Sequence, residues 1–69
     1  MEFGKFFKDC RKESGLSQRE VAERLGIHQS NISDWENNIS RPDYEKLIEL
    51  AGIYNVTLYQ LLGISDPFL

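Results

Sequence analysis

Apolar residues recur along this chain at intervals of three and four positions, the spacing that places side chains on one face of an α-helix. Phe3, Phe7 and Cys10 follow this spacing near the start, and Val21 and Leu25 continue it in a narrow second stripe. A later segment carries a broader apolar set, formed by Leu47, Ile48, Leu50, Ala51 and Tyr54. The periodicity is helical throughout and indicates no strand, so the pattern predicts an all-α protein.

Start and stop signals divide this pattern into five short helices. Ser17 with Glu20, and Thr57 with Gln60, have the three-residue spacing of a capping box, which marks the start of a helix. Asp43 is placed to cap the fourth helix. Glycine or asparagine is expected to end four of the helices, at Gly15, Gly26, Asn38 and Gly63.

The third predicted helix, from Gln29 to Asn37, has two different faces. At about 100° per residue, Ile32 and Trp35 lie on an apolar side that is suited to packing on a core. The opposite side carries short hydrogen-bonding groups and no Lys or Arg: Gln29, Ser30, Ser33, Asp34 and Asn37. Taken alone, this side is most simply a solvated surface; recognition of a ligand by hydrogen bonds is the alternative.

The composition fits one small soluble domain and does not by itself suggest a nucleic-acid ligand. The chain has 69 residues, 41% of them hydrophobic and 28% charged, and acidic residues outnumber basic ones 11 to 8. A single cysteine, Cys10, and a single histidine, His28, exclude an intrachain disulfide and a structural zinc site, and a cytoplasmic location is expected. The chain has no apolar run of the length that a signal peptide or a membrane span needs.

Catalysis is not expected from this set of residues. One histidine, one cysteine and no glycine-rich phosphate loop leave few groups that could act as nucleophile or general base. We therefore expect a protein that is not an enzyme and that needs no cofactor.

The run from Gln18 to Asn37, "QREVAERLGIHQSNISDWEN", resembles the helix-turn-helix of the Cro and phage-repressor family (XRE-type transcriptional regulators). The run has the small residue and the turn glycine of that family, at Ala22 and Gly26, and "GLSQ", "RPD" and "NVTLYQLLG" extend the resemblance from about residue 3 to residue 63. The family's apolar positions are filled by Val21, Leu25, Ile27, Ile32 and Trp35. Three positions depart from the family pattern. His28 stands where a hydroxyl cap is usual, Asn38 where glycine is usual, and Cys10 where leucine is usual.

This resemblance implies a lambda-repressor-like DNA-binding domain in residues 1–63, in which the second and third helices form the helix-turn-helix. It implies a sequence-specific transcriptional regulator that reads the major groove of double-stranded DNA with the third helix. Amides and hydroxyls are suitable for reading base edges, and glutamine can pair with adenine through two hydrogen bonds. The expected base contacts are Gln29, Ser30, Ser33 and Asp34. The expected phosphate contacts are Gln18, Arg19, His28, Asn37, Asn38 and Arg41.

The resemblance also implies contacts that hold the domain together and pair it with a second copy. An Arg–Glu pair often joins the first helix to the end of the third in this family, and Arg11 and Glu36 occupy the matching positions. Relatives often associate through their C-terminal helices, so we expect a homodimer that uses the apolar tail, residues 64–69. The alternative is a tail that folds back on the core of its own chain. The expected dimer contacts are Leu58, Tyr59, Ile64, Phe68 and Leu69.

Two other functions on the same fold compete with this interpretation. One is the antitoxin subunit of a toxin–antitoxin pair, a protein-binding module that the net charge of −3 and the thin basic patch would suit. The other is a controller protein of a restriction-modification system. A small toxin-like gene cotranscribed with this one would distinguish the antitoxin from a regulator that acts alone.

Overall fold

A computed structural model describes residues 2–68 of the chain, and these residues form five α-helices without any strand. The helices are α1 (Gly4–Glu13), α2 (Gln18–Leu25), α3 (Gln29–Glu36), α4 (Tyr44–Tyr54) and α5 (Leu58–Leu62). The prediction of five short helices is therefore confirmed, with α3 ending one residue earlier than expected. Within the described residues, no helix has both the length and the apolar character needed to cross a membrane.

The predicted start signals are present as hydrogen bonds. The Ser17 hydroxyl accepts from the Glu20 backbone N–H at 3.0 Å, and the Ser17 backbone N–H donates to the Glu20 carboxylate at 3.1 Å. Thr57 and Gln60 form the same reciprocal box at the start of α5, and the Asp43 carboxylate accepts from the Lys46 backbone N–H at 2.8 Å. The residues expected to end helices all adopt positive φ: Gly15, Gly26, Asn38 and Gly63.

The core lies where the five helices meet, and every helix contributes to it. Its buried members are Phe7, Cys10, Val21, Ala22, Ile32, Trp35, Leu50, Ala51, Tyr54 and Leu61. α3 packs against both α1 and α2, so the helix with two faces is held from two directions. Ile48, counted with the apolar set of the fourth helix, is instead 61% exposed.

The start of α1 meets the end of α3 in a close backbone contact. The Gly4 backbone N–H donates to the Asn38 side-chain oxygen at 2.9 Å, and a side chain at position 4 would collide with the backbone oxygen of Glu36. Asn38 holds the left-handed conformation with φ of 61°, which brings its amide oxygen to α1. Glycine at position 4 thus permits α1 and α3 to approach each other.

Candidate nucleic-acid interface

The polar side of α3 faces outward while its apolar side is fixed in the core. Ile32 is 1% exposed and Trp35 is 8% exposed. Gln29 and Ser30, in the first turn, are exposed, and Ser33 and Asp34 are half-buried. The first turn of α3 is therefore its most exposed part, and the packing of Ile32 and Trp35 holds the helix in place.

The turn before α3 depends on a glycine. Gly26 ends α2 with φ of 68°, a left-handed conformation that side chains disfavour. The Ile27 backbone N–H then donates to the Ala22 carbonyl at 3.0 Å, and the half-buried Ile27 side chain packs against the core. His28 is the N-cap residue of α3, but its side chain makes no capping hydrogen bond. The link between the two helices is short and tightly defined.

Arg11 and Glu36 form a buried ion pair between α1 and the end of α3. Arg11 Nε donates to Glu36 Oε2 at 2.7 Å, and Arg11 Nη2 donates to Glu36 Oε1 at 3.0 Å. The side chains are only 11% and 3% exposed. Arg11 Nη1 also donates to the Leu16 carbonyl at 3.0 Å. The hydrogen bond to Glu36 raises the pKa of Arg11, so the guanidinium remains charged at neutral pH.

The buried phenol of Tyr54 lies near this ion pair. Burial raises the pKa of Tyr54, and the nearby Glu36 carboxylate raises it further, although the Arg11 guanidinium acts in the opposite direction. The Tyr54 phenol is therefore protonated at neutral pH.

A series of hydrogen bonds connects this ion pair to the exposed end of α3. Gln18 Nε2 donates to Glu36 Oε1 at 3.0 Å, and Gln29 Nε2 donates to Gln18 Oε1 at 3.4 Å. Gln18 is half-buried, whereas Gln29 is exposed. Two of the residues predicted to contact DNA thus touch each other, and one of them rests on the buried carboxylate.

Three other residues expected to contact phosphate, Arg19, Arg41 and Asn37, each interact with a side chain or backbone group of the protein itself. Arg19 is exposed and pairs with Glu23 at 3.2 Å, and the Arg41 guanidinium lies 5.5 Å from the centre of the Phe3 ring. Asn37 folds back along α3, where its side-chain N–H donates to the Ser33 carbonyl at 2.8 Å.

Sequence reasoning missed several of these contacts, including two that join residues far apart in the sequence. The Gln18–Glu36 and Gly4–Asn38 hydrogen bonds join residues 18 and 34 positions apart. No spacing rule for a single helix links such residues, and their contacts depend on the angles between helices.

The residues expected at a dimer interface are largely accessible in the single chain. Leu58 and Ile64 are 40% and 41% exposed, Phe68 is 90% exposed, and Tyr59 is half-buried. Leu69 lies outside the described residues. The Phe68 side chain does not pack on the core of its own chain, since it is 90% exposed. Its backbone N–H donates to the Asp66 carboxylate within the tail.

We also searched the described residues for a metal site and for a reactive thiol. Among residues 2–68, no group of three or more His, Cys, Asp or Glu side chains is placed to hold a metal ion. Burial, with the nearby acidic side chains Glu13 and Asp9, raises the pKa of the Cys10 thiol. Cys10 is therefore a protonated packing residue at neutral pH.

Comparison with known proteins supports a helix-turn-helix fold. A family described as helix-turn-helix matches residues 7–61. The chain is 40% identical over 66 residues to the HTH-type transcriptional regulator ImmR of Bacillus subtilis (96% of this chain, 52% of ImmR). It is 33% identical over 64 residues to the HTH-type transcriptional regulator SinR of Bacillus licheniformis (91% of this chain, 58% of SinR).

A phage protein is also similar. The chain is 37% identical over 57 residues to the ImmF control region 10 kDa protein of Bacillus phage phi105, which covers 83% of this chain and 63% of that protein. The chain spans about half the length of the first curated relatives that it matches. ImmR and SinR are named as regulators rather than enzymes, in agreement with the expectation from the sequence.

Proposed function

The chain belongs to the helix-turn-helix family that matches residues 7–61, and from that premise we propose that it is a sequence-specific regulator of transcription that binds double-stranded DNA. The observation that carries the proposal is the exposed first turn of α3, which presents amide and hydroxyl groups on a helix fixed by buried Ile32 and Trp35. A helix of this kind fits the major groove, where its N-terminal residues meet base edges.

In this proposal the polar side of α3 reads bases by hydrogen bonds. Gln29 and Ser30 make the principal contacts because they are the exposed residues of the first turn. Ser33 and Asp34, one turn later and half-buried, contact bases at the edge of the site. An aspartate can accept a hydrogen bond from cytosine N4, whereas a phosphate would repel it. These groups favour particular sequences rather than neutralising charge.

Contacts to phosphate flank this surface. We assign them to Gln18, Arg19, His28, Asn37, Asn38 and Arg41. Only two of these residues are arginines, and the chain carries a net charge of −3, so few counterions are released on binding. The affinity should therefore fall less steeply with salt than that of a strongly basic repressor.

We also propose that the protein acts as a homodimer on a nearly palindromic site. Residues 1–63 form the DNA-binding domain, and residues 64–69 are an apolar tail that adds to the contact between copies. The exposure of Phe68, Ile64 and Leu58 supports this assignment. Two modules with few cationic contacts gain affinity by occupying two half-sites about one helical turn apart.

Selection of binding sites from random duplex DNA tests the function. The proposal predicts enrichment of one short sequence, repeated with two-fold symmetry. A selected pool without any preferred sequence would contradict a sequence-specific regulator.

A further inference from the structure

We propose that Phe68 of one copy inserts into an apolar groove on a second copy, and that two copies exchange their tails in this way. The groove lies where α1, the start of α4 and the end of α5 meet. This inference rests on the proposed homodimer and adds its receiving surface, which the expected contacts on α5 and the tail do not include. It does not depend on DNA binding.

The groove has the size and the lining that an aromatic ring requires. Its volume is about 240 Å³, and a cavity of about 150 Å³ is enough to hold a benzene ring. The Arg41 guanidinium lies at the groove, 5.5 Å from the centre of the Phe3 ring. The apolar walls are formed by Phe3, Phe7, Pro42, Tyr44, Leu47 and Leu62. The groove therefore suits one aromatic side chain that is accompanied by a negative charge.

The tail presents such a side chain in a stiff turn. Phe68 is 90% exposed, and its backbone N–H donates to the Asp66 carboxylate at 2.8 Å. Pro67 lies between these two residues and has a fixed φ, which further restricts the turn. Because the turn is formed before association, less conformational entropy is lost when Phe68 is buried against a second copy.

The tail of each chain runs away from the groove of the same chain. The Ile64 backbone N–H donates to the Tyr59 carbonyl at 3.0 Å, which turns the chain back along α5. Ile64 and Asp66 then lie beside Thr57, at the start of α5. The groove is at the opposite end of α5, where Leu62 lines it. A second copy is therefore the better source of the Phe68 that fills the groove.

The tail and the groove also carry opposite charges. Asp66 is the only charged residue among residues 64–69, and Arg41 lies at the groove. Phe68 follows Asp66 by two positions, which the chain spans with at most about 7 Å. The Asp66 carboxylate can therefore approach Arg41 of the other copy when Phe68 is in place. Since every copy has both a tail and a groove, a two-fold axis makes the contact twice.

One substitution on each side of the contact tests it in the free protein. Phe68→Ser removes the inserted ring, and Tyr44→Glu places a charge in the groove that repels Asp66. Tyr44 is 86% exposed in the first turn of α4, where a carboxylate is favourable, so the variant should fold. Each variant should weaken association by at least about tenfold, the effect of leaving one large apolar side chain in water.

Mixing the two variants tests whether the tail crosses between copies. The Phe68→Ser chain keeps an intact groove and the Tyr44→Glu chain keeps an intact tail, so a mixed pair can form one of the two contacts. At a concentration where each variant alone is a monomer, sedimentation of the equimolar mixture should therefore show dimers. A tail that docks on its own chain would leave the mixture monomeric and would overturn the exchange.

Ile48→Glu is the matched control, because it places the same charge one turn later on α4 at an exposed residue that does not line the groove. It should leave association unchanged. A full dimer in Tyr44→Glu would overturn the groove and leave the proposed homodimer to contacts on α5. A monomer in the unmodified protein would remove the homodimer and the groove together. Because every measurement uses the free protein, a failure of the proposed DNA binding would not alter these results.

Discussion

At the scale of single residues, two glycines in helices have opposite expected effects on stability. An alanine Cβ at Gly4 would collide with the Glu36 backbone oxygen and lie 2.9 Å from the Asn38 side-chain oxygen, whereas a Cβ at Gly52 would meet no atom within 4 Å. We therefore expect Gly4→Ala to destabilise the protein by about 1–3 kcal/mol. Gly52→Ala should stabilise it by about 1 kcal/mol, because alanine is the better helix former. Urea unfolding of both variants checks this, and equal effects would be inconsistent with the close approach of α1 and α3.

The two capping boxes give a matched test of pH dependence, because one contains Glu20 and the other Gln60. Hydrogen bonds from the Ser17 backbone and then its side chain lower the pKa of Glu20. A carboxyl whose pKa is lower in the folded state stabilises the fold above its unfolded pKa, and that contribution disappears as the pH falls through the folded value.

Glu20→Gln should therefore remove part of the acid sensitivity while keeping a side-chain oxygen that can complete the box, as Gln60 does. The measurement is the unfolding free energy of both proteins between about pH 6 and about pH 3. The advantage of the unmodified protein should shrink toward the acid end. A constant difference across this range would mean that the Glu20 carboxylate does not contribute through the cap.

Residues whose role is local could be identified from the sequence, and residues whose role depends on packing could not. The sequence identifies Ser17 and Thr57 as caps because the partner of each lies three positions away. The sequence also indicates Asn38 as a helix end, yet the hydrogen bond of Asn38 to Gly4 spans 34 positions. That contact requires the angle between α1 and α3, which no single-helix pattern contains.

At the scale of helices, the ion pair between α1 and α3 should contribute measurably to stability. Removing one partner of a buried pair leaves an uncompensated charge, at a cost of roughly 3 kcal/mol. We expect Arg11→Met and Glu36→Gln to show a clear coupling energy in a double-mutant cycle followed by chemical denaturation.

The Arg19–Glu23 pair is the control within the same molecule. Its side chains are 79% and 65% exposed, so water screens the charges and the coupling should be at most about 0.5 kcal/mol. A coupling between Arg11 and Glu36 that is no larger than this would show that the pair does not hold α3 in place.

The apolar pattern predicted the helices better than it predicted which flank of each helix is covered. The predicted apolar side of α3 is buried, because Ile32 and Trp35 lie at its centre. α4 has a wider apolar set, and Ile48 at one side of it is 61% exposed while Leu50 is 1% exposed. Which flank is covered depends on where α1, α2 and α5 pack on α4, and the periodicity of α4 does not include that information.

At the scale of the whole molecule, association through the tail is the main expectation. A side chain as apolar and as exposed as Phe68 gains by burial against a second copy. We predict that the protein sediments as a dimer at micromolar concentration and that removal of residues 64–69 shifts it toward monomer.

Two single substitutions separate this contact from a general effect of exposed apolar surface. Phe68→Ser should weaken association. Ile48→Ser removes an apolar side chain that is 61% exposed on α4, outside the proposed interface, and should not weaken it. A monomer in every case, both free and bound to DNA, would refute the dimer. Weakening by Ile48→Ser alone would move the interface to α4.

The proposed function depends on α3 reading bases, and a titration of two variants tests this most directly. Gln29→Ala should weaken binding to a selected duplex by about 1–3 kcal/mol and flatten the preference at one base pair. Arg19→Ala should weaken binding to all sequences alike. Fluorescence anisotropy gives the affinities, and circular dichroism confirms that both variants fold. If Gln29→Ala leaves the affinity and the base preference unchanged, α3 does not read DNA through its first turn.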